Sequence, residues 1–156
     1  MTEDDELFVL KTKLISTASK KTIEIHDFLK KIEDENIKKE VIKSPKFKLA
    51  GAEFSIDVYP DNSVNKHSGF IGVYLSNQGG EDQTVSMTAK EASGWENLDL
   101  EMEPVKAGRG LGFHQFLTHE KYRQLAKEHG DVLKLDIVVT LHTKAEGALS
   151  TILSYS

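Results

Sequence analysis

A two-residue period in hydropathy recurs along most of this chain, and it limits the fold more tightly than any other feature. In EFSIDVYP, Phe54, Ile56 and Val58 fall on one face and Ser55, Asp57 and Tyr59 on the other. FIGVYLS groups Ile71, Val73 and Leu75, and TVSMTAKE groups Val85, Met87 and Ala89. VLKLDIVVTLH sets Leu133, Leu135, Ile137, Val139 and Leu141 against Lys134, Asp136, Val138, Thr140 and His142. Successive side chains of an extended strand point to opposite faces, so this alternation specifies half-buried β-strands. KTIEIHDF, with Ile23 and Ile25, and SPKFKLAG, with Phe47 and Leu49, supply two shorter candidates; Pro45 suits an edge or a strand start.

The connections PDNSVNKHSG, NQGGEDQ and EASGWEN are rich in turn residues. Short turns between alternating strands imply an antiparallel sandwich or barrel, and the lack of long helical crossovers argues against a parallel sheet. One short helix is expected in THEKYRQLAKEHG, with Thr118 as N-cap, Glu120 in the first turn, Tyr122, Leu125 and Ala126 on one face, and Gly130 as the stop. HDFLKKIEDENIKKEV has room for a turn or two of helix, but its apolar seam ends after Leu29 and Ile32, so it is no coiled coil. The first dozen residues and the tail from Thr143 lie outside the strand pattern and are expected to be loosely attached.

A chain of 156 residues fits one domain and can bury a core without staples. It has no cysteine, which excludes disulfides, zinc–thiolate sites, iron–sulfur clusters and a thiol nucleophile. Small secreted domains usually carry disulfides, so a cytoplasmic setting is expected. The start MTEDDELFVL lacks the basic n-region of a secretory signal, Met1 hints at a true chain start, and no stretch approaches the ~20 apolar residues of a membrane span. The formal charge is −5, and KKIEDENIKKE interleaves lysines with acids, which is a solvated surface rather than the one-signed basic face of a nucleic-acid binder.

KAGRGLGFHQF carries Gly108, Gly110 and Gly112 at alternate positions. A dinucleotide phosphate loop needs Gly-x-Gly-x-x-Gly between a strand and a helix N-terminus. Here the third glycine comes one residue early and Phe113 and Phe116 follow, so nucleotide binding is not expected. There is no nucleophile elbow and no His-Glu-x-x-His, and the spacing of His114 and His119 suits neither a strand nor a helix pair of metal ligands. The histidines read as surface or cap residues, and no catalytic residue, metal or cofactor is expected. If Ile71, Val73 and Leu75 point inward, Phe70, Gly72 and Tyr74 point the other way. Two aromatics flanking a glycine make a contact platform if that face is open, or a covered surface if the strand is central.

In order, SPKFKLAGAEFSIDVYPDN, GFIGVYLSN, GLGFHQFLTHEKY and DVLKLDIVVTLH resemble the strand motifs of a MATH domain, the meprin and TRAF homology module; TIEIHDFLKKI resembles its opening strand, without the usual tryptophan. The resemblance spans residues 20–142, leaving 1–19 as a partly disordered N-terminal extension and 143–156 as a C-terminal tail. It implies an all-β fold, an eight-stranded antiparallel β-sandwich of TRAF-like type with one short helix. It also implies a non-catalytic adaptor that binds a short extended peptide of a partner protein along one sheet, by strand addition with shallow aromatic pockets. On that resemblance Arg109, Gly110, Leu111 and Gly112 lie on the strand that pairs with the peptide, small residues keep the approach open, and Phe113 and Phe116 anchor the core. Phe70 matches a pocket-forming aromatic and Tyr74 shares its face with Gly72. Two departures stand out: Leu111 replaces a common tryptophan, and Glu101 and Glu103 stand where an aromatic is often found. The two glutamates share a strand face if that segment is a strand, and their added negative charge suits a basic or small-polar ligand better than an acidic one.

The expectation is therefore a protein-interaction module of modest affinity, on the order of micromolar. The competing reading is a homo-oligomer that pairs through a sheet edge. A sugar-active sandwich lacks the paired carboxylates it would need. Neither nucleic acid nor membrane is an expected partner.

Overall fold

The computed structural model describes residues 14–144; of the expected N-terminal extension 1–19 and C-terminal tail 143–156, residues 1–13 and 145–156 lie outside the described residues. The strands are β1 (Leu14–His26), β2 (Ile42–Lys43), β3 (Phe47–Leu49), β4 (Ala52–Tyr59), β5 (Phe70–Asn77), β6 (Gln83–Glu91), β7 (Asn97–Val105), β8 (Gly110–Thr118) and β9 (Val132–Lys144). The helices are α1 (Phe28–Glu33) and α2 (His119–His129). β1 starts before residue 20 and β9 ends after residue 142, so the paired strands reach past the expected domain limits on both sides.

Every strand pair is antiparallel, and the strands form two sheets. The first has the order β1-β9-β6-β7, and the second runs β2-β4-β5-β8 with β3 also on β4. β2 and β3 share one edge of β4 and amount to a single interrupted strand. Pro45 explains the break, because it has no N–H for the ladder. Ser44 spans the gap: its N–H donates to the Ile56 carbonyl at 2.8 Å and its Oγ accepts from the Ile56 N–H at 2.8 Å. Counted by position, each sheet then has four strands among the described residues: the alternation led to an antiparallel sandwich or barrel, the structure is a sandwich, and its eight positions are the number the resemblance implied.

The inward positions are those the alternation specified. Phe54, Ile56, Val58, Ile71, Val73, Leu75, Val85, Met87, Ala89 and the odd-numbered residues Leu133 to Leu141 all belong to one buried cluster. Phe116 joins it and Phe113 packs against it. Residue parity thus commits β4, β5, β6 and β9 to the core, because a one-residue slip would turn the whole apolar set of each to water.

α2 forms where expected. Thr118 Oγ1 accepts from the Lys121 N–H at 3.0 Å, and Gly130 leaves the helix at φ 96°. α1 packs on it through an edge-to-face pair, Phe28 on Tyr122, with ring centroids 5.0 Å apart. Asp131 ties the two helices: its carboxylate accepts from the Leu29 N–H and from the Tyr122 hydroxyl, each at 2.9 Å. Burial, reinforced by Asp131, raises the Tyr122 pKa far above the ordinary tyrosine value of 10.0. The unfolded chain loses that proton first, so the contribution of Tyr122 to stability is constant below pH ~10 and falls as pH rises beyond it. Denaturant unfolding at pH 9 and pH 11 checks this. Tyr122→Phe is expected to flatten the alkaline fall, and an equal slope in the two proteins would remove Tyr122 as its source.

Candidate functional site

β7 closes one side of the first sheet and β8 the same side of the second, so two strand edges border the sandwich there. The turn between them, Lys106–Arg109, is held by the buried Asn77 at the end of β5. The Asn77 N–H donates to the Arg109 carbonyl and its carbonyl accepts from the Gly108 N–H. Its side-chain Nδ2 donates to the Val105 and Glu81 carbonyls at 3.0 and 2.8 Å, and Oδ1 accepts from the Gly79 N–H at 3.0 Å. One side chain thus joins β5 of the second sheet to β7 of the first. Arg109 belongs to this turn and precedes β8.

The three alternate glycines have different reasons. Gly108 carries the turn at φ 72°. Gly110 has ordinary room, since an added Cβ would meet only the Leu75 carbonyl oxygen, at 3.5 Å. Gly112 has none: a Cβ there would lie 2.7 Å from Tyr74 Cα and closer still to the Val73 carbonyl oxygen. The tight approach is to the chain's own β5. A strand follows these glycines, not a helix, so the geometry of a dinucleotide phosphate loop is absent.

Register places the other residues. Leu111 is opposite Leu75 and Phe113 opposite Val73, so both half-buried side chains face the interior at the sandwich margin. Gly110 and Gly112 are opposite Ser76 and Tyr74 on the outer face. Phe70 is opposite Thr118, at the far end of the β5–β8 pair. Six steps along β5 lead from Phe70 to Ser76 at ~3.3 Å each, so about 20 Å separates Phe70 from Gly110. The structure therefore does not bring Phe70 to the glycine-rich stretch.

Between these ends the outer face is covered. β5 is central, flanked by β4 and β8. Ile71 is opposite Leu117 and Val73 opposite Phe113, so His114, Gln115 and Phe116 bulge against Gly72 alone. Asn62 fills the bulge. It is fully buried, and a Cβ on Gly72 would sit 2.6 Å from its Nδ2. That nitrogen donates to the His114 carbonyl at 2.9 Å and to the Tyr74 hydroxyl at 2.8 Å, and Asn62 Oδ1 accepts from Asn65 at 2.8 Å. Gly72 admits the chain's own asparagine, so it is not open to an outside backbone. Tyr74 is buried too; its hydroxyl meets His114 Nδ1 at 2.6 Å and its ring meets Tyr59 edge-on at 5.4 Å. His67 stacks on His114 at 4.9 Å. Burial raises the Tyr59 and Tyr74 pKa values, so both rings stay neutral hydrogen-bonding groups. Nothing in the sequence pairs Asn62 with Gly72 and His114, because the contact depends on a turn folding back over a sheet.

On β7, Glu101, Met102 and Glu103 are exposed. Val85 is opposite Glu103 and Met87 opposite Leu100, so one extra residue stands in β7 and the alternation breaks between the two glutamates. The bulge is marked by Met102 at φ 30°, whose N–H donates to Ser86 Oγ. Glu101 and Glu103 do not share a regular strand face, contrary to the reading from their spacing. No group of three or more His, Cys, Asp or Glu is arranged to hold a metal among the described residues. No helix among them is long and apolar enough to cross a membrane. No family profile and no curated protein sequence matches the chain.

Proposed function

We propose that this chain is a non-catalytic interaction module, an adaptor of MATH type, that receives a short extended segment of a partner protein at its β7–β8 side. The observation that carries the reading is the margin of β8. Among the described residues this strand pairs only with β5, so its other backbone edge over Gly110–Phe113 is open to strand addition. Leu111 and Phe113 offer a half-buried apolar floor beside it, and exposed Met102 lies across on β7. The acidic residues Glu101 and Glu103 favour a basic or small-polar ligand. The two antiparallel sheets and the motif order agree with the MATH resemblance, and a cysteine-free chain fits a cytoplasmic setting.

A displayed-peptide selection tests this, run on the parent and on a Leu111→Lys variant of matched thermal stability. The expected result is one motif, with lysine, arginine or small polar residues, enriched by the parent alone. Enrichment by both proteins, or of acidic motifs, would contradict it. Phe70→Lys is expected to weaken only ligands longer than about six residues, the span from Phe70 to Gly110 at ~3.3 Å per residue. The open edges also favour a second reading, self-pairing through a sheet edge, which concentration-dependent mass in solution would reveal.

A further inference from the structure

The opposite side of the sandwich holds a better-formed cleft, which the β7–β8 reading leaves unused. There β1 of the first sheet faces β2 and β3 of the second across a cavity of about 520 Å³. Its floor is apolar, built by Ile23, Ile25, Ile42, Phe47, Ile56 and Val58. Its rim is basic: Lys21, Lys43 and Lys46 line it with one acid, Glu24, on a chain whose formal charge is −5. Lys21 lies over the Phe47 ring at 4.8 Å, and Lys43 Nζ is 3.6 Å from Asp57.

The inner face of β1 explains the opening. Opposite Leu133 and Leu135 it presents Ile25 and Ile23; opposite Ile137, Val139 and Leu141 it presents Lys21, Ser19 and Thr17. Along the inner face of β1 the apolar side chains end at Ile23, and Lys21 takes the next inward position at the cavity. β1 is also the longest uninterrupted edge. Its 13 residues pair with β9 without a register shift, whereas β7 and β8 are bulged and the edge formed by β2 and β3 is broken at Pro45. Among the described residues the backbone of β1 pairs only with β9, so alternate N–H and C=O groups point into the cleft side without a partner. Edge strands are normally blunted by bulges, proline, shortness or charge, and β1 carries only the last, in Lys20 and Lys21.

We infer that this cleft is a second binding site, for an extended peptide segment of a partner protein that carries apolar residues and a carboxylate on one face. Such a strand would add to β1, set apolar side chains of its inner face beside Ile25 and Ile23, and bring a carboxylate of that same face to Lys21 and Lys46, because the side chains of a strand alternate between its two faces. Charge selects the ligand, because the net basic rim repels a lysine-rich strand.

The probe is a fluorescein-labelled octapeptide, TETVTITE, whose acids and apolar residues share one face, titrated by anisotropy against the full chain beside TKTVTITK. The acidic peptide is expected to bind on the order of micromolar and the basic one at least ~10-fold more weakly. A Lys21→Glu, Lys46→Glu double variant is expected to reverse that order, a result that misfolding cannot produce. Amide NMR shifts should fall on residues 20–25 and 42–47. Binding of neither peptide, equal binding of both, shifts confined to Gly110–Phe113, or a dimer whose formation excludes the probe would overturn the inference. Failure of the β7–β8 selection leaves this titration standing, and the reverse holds as well.

Discussion

Gly112→Ala is expected to destabilise the domain by ~2–4 kcal/mol, while Gly110→Ala in the same strand is expected to cost under ~0.5 kcal/mol. The two glycines share a motif, a face and a strand, so composition and propensity predict equal effects. What separates them is the neighbour. A methyl at Gly110 meets the Leu75 carbonyl oxygen at ordinary contact distance. A methyl at Gly112 runs into the Val73 carbonyl and Tyr74 Cα, which are backbone atoms of a central strand and cannot rotate aside. Relief requires β8 to move away from β5, and that movement stretches the pairing on both sides of the bulge at His114–Phe116. The midpoint of thermal unfolding should drop by roughly 5–15 °C for Gly112→Ala and remain near the parent for Gly110→Ala. Equal midpoints for the two variants would mean that the β5–β8 contact is looser than it looks.

The same contrast marks the limit of what the residues disclose by themselves. Phe54, Ile71, Val85 and Leu135 could be assigned to the core at sight, because a strand has only two faces and the apolar one must leave water. β7 and β8 were harder. NLDLEMEPV is mostly exposed and carries an extra residue at its bulge, and GLGFHQFLT opposes Gly72 with three residues, so neither keeps the alternation that identifies a strand. The first half of β1, LISTASK, lacks the apolar alternation, because it runs along a sheet edge where residues 15–20 are exposed or half-buried. The outer face of the second sheet was least legible of all. Ser55, Asp57 and Asn62 have the chemistry of surface residues, and the structure buries all three. Their burial depends on partners distant in sequence, such as Asn62 with His114, and a polar residue is tolerated there only because each buried group finds such a partner. No buried side-chain nitrogen or oxygen is left unsatisfied among the described residues.

Asn62→Leu removes the centre of that arrangement and is expected to cost ~2–4 kcal/mol, about as much as a large core deletion. Leucine matches the side chain in size, so the loss is chiefly of hydrogen bonds. The His114 carbonyl, freed by the bulge from the strand ladder, loses its donor, and Asn65 loses its acceptor. The Tyr74 hydroxyl keeps only His114 Nδ1. A second substitution separates hydrogen bonding from shape. Asn62→Asp keeps the outline and the acceptor for Asn65, but places a carboxylate oxygen against the His114 carbonyl. Burial and that carbonyl both favour the protonated carboxyl, which donates where Nδ2 did, so its folded-state pKa rises above the ~4 of an unfolded aspartate. A raised pKa contributes stability below the unfolded value and loses it as pH climbs through the folded one. Measured against the parent at each pH, Asn62→Asp should therefore approach parental stability near pH 4 and fall behind by ~2 kcal/mol or more at pH 7, whereas the deficit of Asn62→Leu should not change with pH. A pH-independent deficit in both variants would show that Asn62 serves by filling space over Gly72, and that the bulge carbonyl is satisfied by water.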